Sequence, residues 1–157
     1  MKTCLVGCGG IAAVHGSVLT SGIDTEFVAA ADIKPEKAQS YAENFHTKPY
    51  PSLESMLEAE KPDVLHICTP HYLHVPMAIY ALERNINVFM EKPPAISFDQ
   101  LEELKKAAAK SEAQLGFCYQ NRYNASIRAA KDLIDSGKAG KVLGARAFVT
   151  WCSGAAY

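Results

Sequence analysis

Six residues, Gly7-Cys8-Gly9-Gly10-Ile11-Ala12, constrain this chain more than any others, because of what flanks them. Thr3 to Val6 is a short apolar run with the character of a strand, and apolar positions then recur at helical spacing to about Thr20. A G-x-G-x-x-A pattern at the seam between a strand and a helix has a mechanical meaning that the pattern alone lacks. Gly7 permits the tight turn, Gly9 removes the Cβ that would hold a pyrophosphate away from the backbone, and Ala12 lets the helix lie close to the sheet. The phosphates then meet N–H groups that the helix start leaves unpaired, and its positive end adds roughly 0.3 to 1 kcal/mol. The six residues therefore predict a dinucleotide site.

The next apolar run, Phe27 to Ala31, ends at Asp32, some twenty residues past the glycines. A carboxylate there accepts both hydroxyls of an adenosine ribose and repels a 2′-phosphate, so NAD is the expected cofactor. Lys34 and Lys37 follow closely and would partly neutralise such a phosphate, which keeps NADP as the alternative.

Beyond Asp32 the alternation continues. Pro35 suits a first helical position, and that helix runs to about Phe45. Ser52 caps a short helix to Glu60, and Val64 to Cys68 reads as a strand buried on both faces, the kind that parallel sheets contain. A helix from about Leu73 to Arg84, a strand from Ile86 to Met90, a helix opened by a Ser97/Gln100 capping box and ending near Ser111, and a strand from Leu115 to Cys118 complete the set. This order over 1–118 predicts an α/β fold, a doubly wound parallel sheet of the Rossmann type. Over 119–157 we expect a second unit: Asn124 caps a helix to Ser136, Gly137 ends it, and Val142 to Cys152 alternates like a strand of a different sheet.

Composition narrows the function classes. The net charge of -1, without a run of like charges, argues against nucleic acid and anionic membranes as partners. The opening Met1 to Val6 breaks at once into glycines, unlike a secretory leader, and no stretch approaches the roughly 20 apolar residues of a membrane span, so a cytoplasmic protein is expected. Cys4, Cys8, Cys68, Cys118 and Cys152 are odd in number and lack C-x-x-C pairing, which reads as buried thiols. No metal site is expected.

Two segments fall at predicted carboxyl ends of strands, the edge where open α/β sheets bind ligands. Thr69-Pro70 closes one strand, and His71 and His74 follow it, expected to line the nucleotide cleft. Glu91-Lys92-Pro93-Pro94 follows Met90, and a residue before proline is held extended, so Lys92 is aimed. Beside a positive nicotinamide ring the charged form of a lysine is disfavoured, which suits Lys92 to transfer a proton or hold a substrate hydroxyl.

Together, Gly7 to Ala12, Thr69-Pro70 with His74, Glu91-Lys92-Pro93 and Asn121-Arg122-Tyr123 resemble the Gfo/Idh/MocA family, which includes glucose-fructose oxidoreductase and inositol dehydrogenase. The resemblance implies that Lys92 is the catalytic lysine and that Glu91, Thr69, Pro70 and His74 surround the nicotinamide side of the cofactor. It implies that Arg122 and Tyr123 lie on the way to the substrate. His71 stands where the family often has asparagine. Family members have a second domain that completes the pocket and are about twice this length, a usual size for two domains. The expected function is hydride transfer between NAD(H) and a hydroxylated carbon of a sugar, polyol or similar small molecule, in a homo-oligomer. This chain is then the cofactor-binding part with the start of the substrate domain, silent in turnover by itself. The rival readings are a stand-alone nucleotide-binding or regulatory module and a methyltransferase using the same turn for S-adenosylmethionine.

Overall fold

A computed structural model describes residues 1–22, 24–148 and 150. The chain divides into two compact units, Met1–Tyr119 and Gln120–Tyr157. The first is a six-stranded parallel sheet of order β3-β2-β1-β4-β5-β6, formed by β1 (Lys2–Val6), β2 (Glu26–Ala31), β3 (Lys48–Tyr50), β4 (Val64–Ile67), β5 (Asn87–Met90) and β6 (Leu115–Phe117). Its helices are α1 (Gly10–Leu19), α2 (Pro35–Phe45), α3 (Leu53–Glu60), α4 (His74–Leu82) and α5 (Phe98–Lys110). The sheet is doubly wound, as the alternation requires.

One face of the sheet, with Cys4, Val6, Leu65, Ile67, Val88 and Met90, forms a core with residues of α3, α4 and α5 such as Met56, Leu82 and Leu104. The other carries a smaller cluster of Leu5, Ala12, Ala30, Tyr41 and Cys68 beneath α1 and α2. Burying one such leucine contributes about 1.5 to 3 kcal/mol. In α1 the buried residues are Ala12, His15, Gly16 and Leu19, the helical i, i+3, i+4, i+7 stripe. Gly16 is there because a Cβ would lie 2.6 Å from the Tyr41 hydroxyl and 2.7 Å from the Phe45 ring.

Several expectations change in detail. β3 has no counterpart in the sequence reading: it is a three-residue strand containing Pro49, too short to show alternation and held by pairing with β2. β4 is fully buried on one face only, since Leu65 and Ile67 are buried while Val64 and His66 are half-buried. A short 3-10 turn over His71–Leu73 precedes α4. Ser97 Oγ accepts from Gln100 N at 3.2 Å, but Gln100 Oε1 accepts from Ile96 N rather than completing the box on Ser97.

The second unit has a 3-10 turn at Gln120–Tyr123 and helix α6 (Ala125–Asp135). Gly137, at φ 73°, ends that helix in the left-handed conformation glycine favours. Asn124 holds the N-cap position without a side-chain cap bond. The strand expected from Val142 is absent over 142–148, since a strand needs a neighbour to take its hydrogen bonds; Val149, Trp151 and Cys152 lie outside the described residues. Among the described residues no helix is long and apolar enough to cross a membrane.

Candidate cofactor site

The carboxyl ends of β1, β2 and β4 converge on a cleft of about 340 Å³, within the usual range for small-molecule sites. Gly7, Gly9, Asp32, Thr69 and Pro70 line it together. Gly7 adopts φ +93°, and a Cβ on it would lie 2.8 Å from the Cys68 carbonyl and the Thr69 nitrogen, so only glycine fits. Gly9 and Gly10 differ, since a Cβ on either would meet nothing within 4 Å. The backbone there is open for a phosphate group to approach. Gly9 is the N-cap of α1, so Gly9, Gly10 and Ile11 belong to the first turn, where a helix leaves its N–H groups without internal partners. Ala12 is fully buried against the sheet, and its carbonyl accepts from the Tyr41 hydroxyl at 2.7 Å.

Asp32 does more than its distance from the glycines suggests. Its Oδ2 accepts from Cys8 N and its Oδ1 from Lys34 N, each at 2.9 Å. The carboxylate thus ties the glycine turn to the end of β2, and each oxygen keeps a lone pair for a ribose hydroxyl. The Cys8 amide is consequently taken by Asp32 rather than left for a phosphate. Its thiol is pushed up to about 12 by burial and by the Asp32 charge, which leaves it a poor nucleophile. Lys34 and Lys37 also line the cleft, with the apolar Ile33, Tyr72, Leu73 and Met77, none of which the sequence reading selected. Exposed Ile33, directly after Asp32, is the signal that was available.

The remaining site residues of the first unit are placed elsewhere on the same sheet edge. His74 is fully buried; its Nδ1 lies 2.8 Å from the Pro93 carbonyl oxygen and its Nε2 2.9 Å from that of Thr69. A neutral ring donates to one of these and an imidazolium to both. His74 therefore braces the Thr69-Pro70 turn against the Lys92-Pro93 turn, and its ring is inside the fold rather than on the cleft wall. His71 is exposed at the start of the 3-10 turn, with its ring centroid 5.6 Å from that of His74. Lys92 is exposed just past β5, and the Lys92-Pro93 peptide is cis. Arg122 and Tyr123 are exposed in the second unit.

Glu91 is buried, and its Oε1 lies 3.1 Å from His15 Nε2 while its Oε2 accepts from Lys92 N at 3.2 Å. Burial alone would raise this carboxyl, but hydrogen bonds from His15, Cys118 and the Lys92 backbone outweigh it and hold the group below its usual range. His15 Nδ1 in turn lies 3.0 Å from His66 Nδ1. Burial, helped by His15, lowers His66 to about 4, so its ring is neutral near pH 7. Sequence reasoning missed His15 and His66 altogether. The clue for His15 was its place three residues past Ala12 on the buried stripe, where a polar side chain must find a partner.

A glycine turn feeding a helix, a carboxylate ending the second strand and an open cleft between them define a dinucleotide-binding domain of the Rossmann class. Residues 1–119 match the family described as "Oxidoreductase family, NAD-binding Rossmann fold", Gfo/Idh/MocA, and the chain belongs to it. It is 29% identical over 144 residues to the D-glucoside 3-dehydrogenase of Escherichia coli, a match covering 90% of this chain and 41% of the relative. It is also 29% identical over 151 residues to the inositol 2-dehydrogenase/D-chiro-inositol 3-dehydrogenase of Lacticaseibacillus casei, covering 94% of this chain and 44% of that one. The WlbA dehydrogenase from Bordetella pertussis, solved with NADH and UDP-GlcNAcA, superposes with a TM-score of 0.86 at 31% identity, covering 90% of this chain and 44% of that chain. The chain thus spans about two fifths of the length of these relatives.

Proposed function

We propose that this chain is the cofactor-binding part of an NAD-dependent dehydrogenase that oxidises or reduces a hydroxyl-bearing carbon of a sugar, polyol or related small molecule. The observation that carries this reading is Asp32: its half-exposed carboxylate shares one cleft with Gly7 and Gly9 and is bonded to the turn between them. The first-turn N–H groups of Gly9, Gly10 and Ile11 bind the phosphates, and Asp32 accepts from the adenosine ribose. Thr69 and Pro70 wall the cleft, and His74 keeps their turn and the Lys92 turn in register. Bound NAD supplies the hydride acceptor or donor for the chemistry. Lys92 holds or moves the substrate hydroxyl proton at its Nζ, while Arg122 and Tyr123 serve the substrate side. The dehydrogenase names of the relatives support this choice of substrate class.

Titration of the folded chain with NADH and NADPH tests it. NADH binds one to one and preferentially. Asp32→Asn reduces the preference for NADH more than it reduces NADH affinity, because the amide oxygen still accepts from Cys8 N while the charge facing a 2′-phosphate is gone. Asp32→Ala loses both roles and weakens NADH by about 10- to 100-fold, the range for hydrogen bonds to a charged group. A folded wild-type chain that binds no NADH would refute the reading.

A further inference from the structure

We propose that His15, Glu91 and Cys118 form a site for a zinc-class divalent cation where α1 meets the carboxyl ends of β5 and β6. One ligand atom from each, an imidazole nitrogen, a carboxylate oxygen and a sulfur, all lie within 4.8 Å of one another. With metal bonds of about 2.0 to 2.3 Å, neighbouring ligand atoms of a tetrahedral zinc centre stand about 3.3 to 3.7 Å apart. The 3.1 Å between His15 Nε2 and Glu91 Oε1 has only to open slightly, and no separation has to close by more than about 1 Å, a side-chain adjustment.

The backbone already holds the three groups. Glu91 N donates to the Ile67 carbonyl at 3.0 Å and Cys118 N to the Met90 carbonyl at 2.8 Å, so two ligands continue the sheet's own pairing. His15 projects from the buried stripe of α1. A metal-bound histidine is normally oriented by a partner on its other ring nitrogen, and His66 Nδ1 is 3.0 Å from His15 Nδ1. Without metal, His15 donates from Nε2 to Glu91 and accepts from His66 at Nδ1. On binding, the Nε2 lone pair turns to the cation, His15 carries its proton on Nδ1 and donates to His66, and the His66 proton moves to its own Nε2. The thiol of Cys118 gives its proton to solvent. The proton count on the two imidazoles is unchanged, and the thiolate and carboxylate balance the two positive charges.

The mixed nitrogen, oxygen and sulfur set suits zinc or cobalt and excludes magnesium and calcium, which take oxygen ligands. Three protein ligands leave the fourth tetrahedral position to water, and half-buried Cys118 is the side of entry. The site is separate from the His71/His74 pair, whose inner ring is occupied by carbonyls. Neither NAD binding nor dehydrogenase activity is needed for it to exist.

The test is metal titration of the purified full chain, with Co²⁺ as the probe. Expected are one equivalent bound, a thiolate-to-cobalt band in the near ultraviolet, and its loss on adding Zn²⁺. Cys118→Ser abolishes the band, Cys8→Ser leaves it, and His66→Phe keeps it while weakening affinity by about 10- to 100-fold, as loss of an outer partner does. Circular dichroism of Cys118→Ser confirms that its loss is not unfolding, so the outcome does not hang on the more buried His15. A folded wild-type chain that takes up no equivalent of Co²⁺ or Zn²⁺, or a band that persists in Cys118→Ser, overturns the proposal.

Discussion

The two edges of the sheet each hold a buried glutamate, and the pair are opposites in their surroundings. Glu60, at the amino-terminal edge, has a side chain 5% exposed; Glu91, at the carboxyl-terminal edge, is 6% exposed. Around Glu60 stand Lys2 Nζ and Lys48 Nζ, both at 2.9 Å, and the Tyr50 hydroxyl donates to it at 2.6 Å. Tyr50 first, then Lys48 and Lys2, hold its carboxyl at about 2. Glu91 instead faces one histidine, one thiol and one backbone N–H of a site turn, none of them a lysine or a phenol. A carboxylate saturated by permanent donors fastens β1, β3 and α3 together. One held by adaptable partners remains available for chemistry. Ligand sites form at the carboxyl edge because strand ends and helix starts both point there.

The largest effect that would sharpen this contrast is at Lys92. In a two-domain relative, Lys92→Met at the matching position is expected to lower turnover by about 10²- to 10⁴-fold while the melting temperature stays nearly unchanged. Normal turnover would remove Lys92 from the mechanism. Next in size is Glu60→Ala, which leaves two ammonium groups and a phenol facing a void and should cost about 3 kcal/mol, the lower end for a broken buried pair because Lys48 is largely exposed. With about 2 to 4 °C per kcal/mol for a chain of this size, melting falls by roughly 6 to 12 °C while NADH affinity of the folded fraction holds. Glu91→Gln should melt within a few degrees of wild type, about 1 kcal/mol, since an amide still meets His15 and Cys118. If Glu91→Gln proves the more damaging to folding, the two edges are not divided as described.

Acid probes the same Glu60 carboxylate through its charge. The Glu60 carboxyl sits at about 2 when folded, against 4.5 as its reference, so its stabilising contribution is complete above 4.5 and disappears as pH falls from there towards 2. The stability gap between wild type and Glu60→Gln, read from urea midpoints, should therefore shrink across that window. A gap that stays constant would show that the lysines and Tyr50 act through packing rather than charge.

Much of the fold is legible in sequence because its signals are local. The apolar runs of β1, β2, β4, β5 and β6, Pro35 at the start of α2, Ser52 and Ser97 at helix starts and Gly137 at a helix end all act on their immediate neighbours. β3 escapes for the same reason, since three residues with a proline have no pattern of their own and are a strand only through β2. Within the site, Gly7 and Asp32 are readable, because a turn between strand and helix and a carboxylate ending the next strand recur at set spacing. Ile33, Tyr72, Leu73 and Met77 reach the cleft only because β1, β2 and β4 end side by side.

What the sequence by itself determined is the elements of the first unit other than β3, and the glycine turn, all consequences of period and of steric rules acting over a few residues. The tertiary structure alone decided that Asp32 bonds to Cys8, that His74 braces two turns from inside, and that His15, His66, Glu91 and Cys118 meet. Those four come from one helix and the ends of three strands, and no spacing along the chain encodes their approach. It follows from the order β1-β4-β5-β6 and from α1 lying close enough to the sheet, across Ala12, for His15 to reach it.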